Sequence, residues 1–270
     1  MTIEPVSVLF VGDAERAEFA LVFQWLREHS QMASAPDFAS ASQQLESRAC
    51  DPELIVLAQA WPGQFSPKQI ERLRRLAPLA RISELLGSWC EGETRTGRPA
   101  GGTSRNYWHQ WLPRMAPEFA RAARGEQPVW SLPTTATDDE RLLAIADATT
   151  ATPNPLPQNG LIAILLRNAA MARALCDACP TRGYASIWLP QGRGPYLAGA
   201  RAAIWDAPPA VESWAGTLAS VRQDFKGAPI IALANFPRIE DVEGLRAAGA
   251  AAVVSKPFWL DDLFWQLAQL

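Results

Sequence analysis

Short apolar runs alternate with helix-like segments along this 270-residue chain, and this alternation constrains the fold more than any other feature. Val8-Leu9-Phe10-Val11 and Leu54-Ile55-Val56-Leu57 contain no polar side chain. Runs of this kind are typical of parallel strands that are buried on both faces. Segments with helical spacing, such as Ala17 to Arg27, lie between them. Alternating strands and helices predict βαβ units in a parallel sheet.

The pattern occurs twice, which predicts two domains, at residues 1–125 and 160–270. In the first domain the apolar runs indicate strands at 8–11, 54–57 and 82–86. Residues 126–159 carry several prolines and a Thr/Ala run, so we expect a linker there with one short helix after Thr137. The fold class is therefore α/β, with two flavodoxin-like, doubly wound parallel sheets of five strands in tandem. In such sheets ligands bind at the carboxyl ends of the strands.

Composition excludes several classes of function. Lys plus Arg number 25 and Asp plus Glu number 28, so the net charge is −3, which argues against nucleic-acid binding. No apolar stretch is long enough to span a membrane, and no signal peptide is visible. The four cysteines are few for this length. We therefore expect a cytoplasmic protein with free thiols.

Three segments of the second domain, together with Asp206 at the end of a strand, form a recognisable set. The segments are Pro229 to Leu233, Gly244 to Ala250 and Ser255 to Phe258. In this combination residues 160–270 resemble the receiver domain of bacterial response regulators, the phosphorylated partners in two-component signal transduction and phosphorelays. The resemblance implies that Asp206 stands at the phosphoacceptor position and that Lys256 is the accompanying lysine.

The second domain departs from the receiver pattern at its other switch-site positions. The acidic pair that would hold Mg²⁺ falls on Arg167 and Asn168, and Mg²⁺ requires oxygen ligands such as carboxylates. The hydroxyl residue after the fourth strand is replaced by Ala234. We therefore expect no metal and no cofactor. Arg167 is expected to pair with Asp206 and lock one conformation; the alternatives are a residual switch and a simple salt bridge between Asp206 and Lys256.

The first domain is also similar to a receiver, although fewer positions match. In this register Ala58 takes the phosphoacceptor position, and Gly12 and Asp13 take the place of the acidic pair. His109 lies near the position of the receiver lysine. Residues 87 to 105 read as a long polar loop without a counterpart in an ordinary receiver.

This loop and the residues after it concentrate glycine, charge and aromatic side chains. Aromatic anchors beside Arg forks suit a binding surface. One alternative is a structured loop held by internal Glu–Arg pairs. Another is a metal or acid–base site that uses Cys90 and His109. The candidate interaction residues are Trp89, Glu91, Glu93, Arg95, Arg98, Tyr107, Trp108, His109 and Trp111.

Two further features give weaker predictions. Cys176 and Cys179 have CxxC spacing at the end of a predicted helix, where structural or incidental thiols are favoured over a redox pair. On the last helix Leu260, Leu263, Phe264 and Leu267 form the buried stripe, and Trp265 lies roughly opposite. Trp265 is a candidate anchor for a homodimer, and packing against the first domain is the alternative.

The sequence therefore predicts a non-enzymatic signalling or scaffolding protein. It would act as a pseudo-receiver on an unidentified protein partner, without Mg²⁺-dependent phosphorylation. The first alternative is an atypical response regulator that is phosphorylated on Asp206. The second is a ligand-binding protein or enzyme that uses the Cys90/His109 loop.

Overall fold

The computed structural model describes residues 5–93, 100–133, 135–137, 139–144, 159–190, 199–209 and 214–270. The chain divides into two compact units, Met1–Thr150 and Ala151–Leu270. Each unit contains one five-stranded sheet. No helix in the part of the chain that is described combines the length and apolar character needed to cross a bilayer.

The first unit is a parallel sheet with strand order β2-β1-β3-β4-β5. Its strands are β1 (Ser7–Val11), β2 (Gln31–Ala35), β3 (Leu54–Gln59), β4 (Arg81–Leu86) and β5 (Ser104–Tyr107). Its helices include α1 (Ala17–His29), α2 (Phe38–Glu46), α3 (Pro67–Leu76) and α4 (Trp108–Ala123). This strand order is that of a flavodoxin-like doubly wound sheet.

Local sequence explains why these elements form. All six residues of β3 are buried, because helices cover both faces of a central parallel strand. The α3 helix begins with a capping box, in which Ser66 and Gln69 satisfy each other's backbone N–H groups, and Pro67 occupies the first helical turn.

Two features of the first unit differ from the sequence prediction. The strands β2 and β5 were missed, because QMASA and SRNY are edge strands with few apolar residues. The aromatic run from Trp108 begins α4 and does not end a loop. Residues 104 and 105 of the predicted loop belong to β5, and whether the rest of the loop is an insertion stays a prediction.

The second unit repeats the same topology, with strand order β10-β9-β8-β6-β7. Its strands are β6 (Leu161–Leu165), β7 (Ala185–Trp188), β8 (Ala200–Asp206), β9 (Ile230–Asn235) and β10 (Ala252–Lys256). Its helices include α5 (Ala169–Ala178), α6 (Trp214–Asp224), α7 (Ile239–Ala247) and α8 (Leu260–Ala268). The prediction of two tandem flavodoxin-like sheets is confirmed. Leu260 is exposed and does not join the buried stripe, because it is the first residue of α8.

The segment after α4 belongs to the first unit and packs against β4 and α4. The Arg81 Nε–H donates to the Ser131 carbonyl at 3.2 Å, and the Trp130 and Phe119 rings lie 6.4 Å apart. Farther along, residues 139–144 are helical. The predicted cap is present, because the Glu140 N–H donates to Thr137 Oγ1 at 3.2 Å and the Thr137 N–H donates to Glu140 Oε2 at 2.7 Å.

Candidate functional site

Asp206 and Lys256 meet at the carboxyl edge of the second sheet. Asp206 ends β8 and Lys256 ends β10, on either side of β9. The Lys256 ammonium forms an ion pair with Asp206 Oδ1. Ala234, on β9, is buried and adds only a methyl group. The two residues that match the receiver pattern are therefore in direct contact, and the lysine already neutralises the carboxylate.

The residues that follow β6 serve the local structure. Asn168 is the N-cap of α5, and its side chain accepts a hydrogen bond from the Met171 N–H at 3.0 Å. Arg167 is exposed, and among the described residues it has no ion-pair partner. The expected pairing of Arg167 with Asp206 is therefore not observed. Lys256, on β10, holds that position instead.

At the carboxyl edge of the first sheet, the residue that the resemblance aligns with the phosphoacceptor is Ala58, which has no carboxylate. Ala58 is fully buried, and a Cβ at Gly12 would lie 2.8 Å from the Ala58 carbonyl oxygen. This close approach between β1 and β3 requires small residues. Asp13 points away from a shared site, because it is exposed and accepts a hydrogen bond from the Glu15 N–H at 3.0 Å.

A buried carboxylate that sequence reasoning missed lies at the same edge. Glu18, in the first turn of α1, accepts hydrogen bonds from the Ser88 N–H at 2.8 Å and from Arg16 Nε at 2.7 Å. Burial alone would raise the pKa of Glu18, but the hydrogen bonds from Ser88 and Arg16 hold it below its usual value. Glu18 thus ties α1 to the segment after β4. No pattern in the sequence indicates that this acidic residue, unlike most on helices, is buried.

A second network of buried polar groups ties the β4–β5 connection to the sheet. Arg105, on β5, forms ion pairs with Glu93 and with Glu84, the latter at 3.4 Å. The Thr103 hydroxyl donates to Glu84 Oε1 at 2.6 Å, and Gln59 Nε2 donates to Glu93 Oε2 at 3.3 Å. Burial raises the pKa of Glu84, and the contacts with Thr103 and Arg105 offset part of that effect. The alternative of internal Glu–Arg pairs is therefore present in the structure.

The predicted interaction residues separate into buried and exposed groups. Trp108, Trp111 and Glu93 are buried, so their prediction as contact anchors was wrong. These tryptophans lie on the apolar face of α4, where Trp111 packs at 6.2 Å from the Trp25 ring. Trp89 is 65% exposed. Glu91, Tyr107, His109 and Trp265 are half-buried, and Arg95 and Arg98 lie outside the described residues.

Cys90 and His109 are poorly suited to catalysis. Burial raises the pKa of the Cys90 thiol to about 11, so it is not a thiolate near neutral pH. Burial, with a contribution from Arg114, lowers the pKa of the His109 imidazole to about 4. All four cysteines are free thiols. Within the described ranges, no group of His, Cys, Asp and Glu side chains could hold a metal ion.

No protein-family model matches the sequence, and no curated protein matches it. Among solved structures, the chain is similar to a two-component system response regulator/GGDEF domain protein, at 10% identity with 97% of each chain covered and a TM-score of 0.37. It is also similar to full-length ShkA in complex with AMPPNP, at 16% identity and a TM-score of 0.33. That alignment covers 100% of this chain and 52% of the other, so the chain spans about half the length of ShkA.

A third similar structure is the GsuK RCK domain, at 14% identity and a TM-score of 0.30, with 99% of this chain and 77% of the other covered. At such low scores these likenesses identify neither a family nor a function. The strand order of the two sheets assigns the fold.

Proposed function

We propose that this protein is a non-enzymatic signalling or scaffolding protein that acts through protein–protein contacts, without Mg²⁺-dependent phosphorylation. The observation that carries the proposal is the Asp206–Lys256 ion pair. Arg167 and Asn168 occupy the positions where the receiver pattern has two acidic residues. A lysine can neutralise a phosphoryl group, but Arg167 and Asn168 supply no carboxylate for Mg²⁺, and the Asn168 side-chain oxygen already accepts the Met171 N–H. In the first domain Ala58 removes the acceptor itself.

The exposed tryptophans support a role in binding. Trp61 and Trp89 follow the neighbouring strands β3 and β4, and they are 54% and 65% exposed. Aromatic side chains at a surface are common anchors in protein interfaces. The partner is therefore a protein, and the cytoplasm is the compartment in which we expect the two to meet.

Phosphorylation is tested by adding acetyl phosphate or beryllofluoride, with and without Mg²⁺, to the full-length protein and recording intact mass and tryptophan fluorescence. We expect no Mg²⁺-dependent change in the wild type or in Asp206→Asn. A Mg²⁺-dependent mass gain that Asp206→Asn abolishes would overturn the proposal. It would establish the alternative of an atypical response regulator, which the retained Asp206 favours.

A homodimer through α8 is a separate part of the proposal. Trp265 is half-buried on that helix and Trp259, just before it, is 54% exposed. Sedimentation velocity on the wild type should show an association that Trp265→Ala weakens and Trp89→Ala leaves unchanged. A wild type that stays monomeric at all accessible concentrations contradicts this part alone.

A further inference from the structure

A cleft of about 400 Å³ opens at the amino edge of the first sheet, opposite the carboxyl edge described above. Glu53 and Arg81, at the starts of β3 and β4, contribute to one side. The chain after α4 forms another side. Gly125, at a φ of +75°, ends that helix, and the Glu126 N–H bonds back to the Arg121 carbonyl at 3.1 Å. This turn carries residues 126–131 along the cleft, whose size is within the range of small-molecule sites.

The cleft contains one cation whose hydrogen-bonding capacity is largely unused. The Arg81 Nε–H donates to the Ser131 carbonyl at 3.2 Å, which holds the side chain in place. Within the described residues, its two terminal nitrogens have no hydrogen-bond or ion-pair partner. A guanidinium with two free donors is suited to bind a carboxylate through paired hydrogen bonds.

One carboxylate of the cleft is also largely unused. Glu53 accepts only a long hydrogen bond, 3.3 Å from the Ser7 N–H, and no ion pair joins it to Arg81 in the described part of the chain. Glu126, in contrast, is bound by Arg124 at 2.7 and 3.0 Å. The cleft therefore presents one positive and one negative group. Arg81 can bind an anionic group of a ligand, and Glu53 can bind a cationic group.

Part of the remaining wall is apolar, and Gln127 and Ser131 add polar groups to it. Leu79 lines the cleft and is 89% exposed, and Pro128 and Trp130 line it too. The Trp130 indole nitrogen is buried and has no hydrogen-bond partner among the described residues. An apolar surface of this kind beside two separated opposite charges is complementary to a small zwitterion that carries a hydrocarbon or aromatic side chain.

We infer that this cleft binds a free α-amino acid with an apolar side chain. Arg81 would bind the carboxylate, Glu53 would bind the ammonium group, and Leu79 and Trp130 would contact the side chain. A simple anion fits less well, because Glu53 places a negative charge in the cleft beside Arg81. The inference is independent of the proposed signalling function, since it concerns the opposite edge of the sheet.

The test is calorimetric titration of the full-length protein with L-leucine and L-phenylalanine. N-acetyl-L-leucine lacks the ammonium charge and L-leucinamide lacks the carboxylate, so both should bind at least about tenfold more weakly than L-leucine. Arg81→Gln and Glu53→Gln should each weaken L-leucine binding by a similar factor. Arg72→Gln, a change at an exposed arginine on α3 outside the cleft, is the matched control and should have no effect.

Leu79→Ser provides a second variant that cannot disrupt the core, because the side chain is at the surface. It should weaken L-phenylalanine binding without shifting the unfolding midpoint. Equal binding of N-acetyl-L-leucine would overturn the inference in favour of a peptide carboxyl terminus. Tighter binding of inorganic phosphate would overturn it in favour of an anion site. Binding of none of these probes, or binding that Arg81→Gln and Leu79→Ser both leave unchanged, would overturn it outright.

Discussion

Arg105 is the residue on which the buried charges of the first domain depend. It lies between Glu84, which is 2% exposed, and Glu93, which is also buried. A buried ion pair adds little net stability, because desolvation offsets the attraction. Removal of one member is nevertheless costly, since the remaining charges stay buried without compensation. Arg105 therefore compensates the negative charges of two buried carboxylates, which would otherwise destabilise the folded state.

We predict that Arg105→Met lowers the free energy of unfolding of the first domain by about 3–5 kcal/mol. Arg72→Met is the matched control. Its partner Glu46 is exposed, so the loss should be about 0–1 kcal/mol. Urea denaturation followed by circular dichroism measures both values. Adding Glu84→Gln and Glu93→Gln to Arg105→Met should recover part of the stability, and equal losses in the two single variants would contradict the argument.

His109 gives the first domain a pH-dependent stability of predictable sign. Burial, together with Arg114, lowers the pKa of its imidazole from 6.5 to about 4, with an opposing effect of Glu18. The unfolded chain therefore takes up a proton near pH 6.5, whereas the folded chain does so only near pH 4. The contribution of His109 to the free energy of unfolding is therefore fully present above pH 6.5, and it is lost as the pH falls from 6.5 to about 4.

The amount lost over this interval should be about 3 kcal/mol, from the difference between the two pKa values of His109. His109→Gln should lack this part of the pH dependence. His29→Gln, a change of an exposed residue on α1, should retain it. Urea midpoints measured at several pH values between 7 and 4 test the prediction, and parallel curves for His109→Gln and the wild type would refute it.

At the scale of single elements, edge strands and helix caps account for most differences between prediction and structure. β2 and β5 lie at the two edges of the first sheet, where one neighbour is missing and fewer side chains are buried. Asn168, which the receiver resemblance places at a switch-site position, caps α5 in the structure. Asn, Asp, Ser and Thr are common at such caps, so a local function explains this residue.

We predict that Asn168→Ala lowers the free energy of unfolding of the second domain by about 1 kcal/mol, because the Met171 N–H loses its acceptor. Asn168→Asp should change it by only a few tenths of a kcal/mol, since Asp caps helices equally well. Arg167→Ala should stay within about 0.5 kcal/mol, as it removes an exposed side chain. Thermal denaturation distinguishes these outcomes. A larger loss in Arg167→Ala than in Asn168→Ala would contradict the assignment.

At the scale of the whole molecule, each unit has a complete sheet and its own core. In the first unit the core includes Leu9, Ile55 and Leu57, and in the second it includes Ile164, Ile204 and Leu233. Each central strand is therefore paired and covered within its own unit. A unit with these properties has the means to fold alone.

We predict that residues 1–150 and 151–270, expressed separately, are each folded. Far-ultraviolet circular dichroism of each fragment should show helix and strand, and each should unfold cooperatively in urea. Arg105→Met should lower the urea midpoint of the first fragment only, and Asn168→Ala should lower that of the second fragment only. A fragment that lacks a cooperative transition would show that its core is incomplete.

The sequence by itself determined the fold class and the duplication, because apolar periodicity, caps and turns act within a few residues of one another. The central strands, the Thr137–Glu140 cap and the position of Asp206 at a strand end all follow from local patterns. The assignment of residues to receiver positions rests on resemblance alone and stays a prediction. The sequence left open whether Asp206 would pair with Arg167 or with Lys256, fifty residues away, and the structure contains the pair with Lys256.

Only the tertiary structure decided which polar residues are buried and what they contact. Trp111 and Glu93 have the residue types of a binding surface, yet packing against α1 and pairing with Arg105 place them in the interior. The cleft beside Arg81 depends likewise on where the chain turns after α4. Burial and contact between distant residues follow from how sheets and helices are assembled, and no local pattern encodes that assembly.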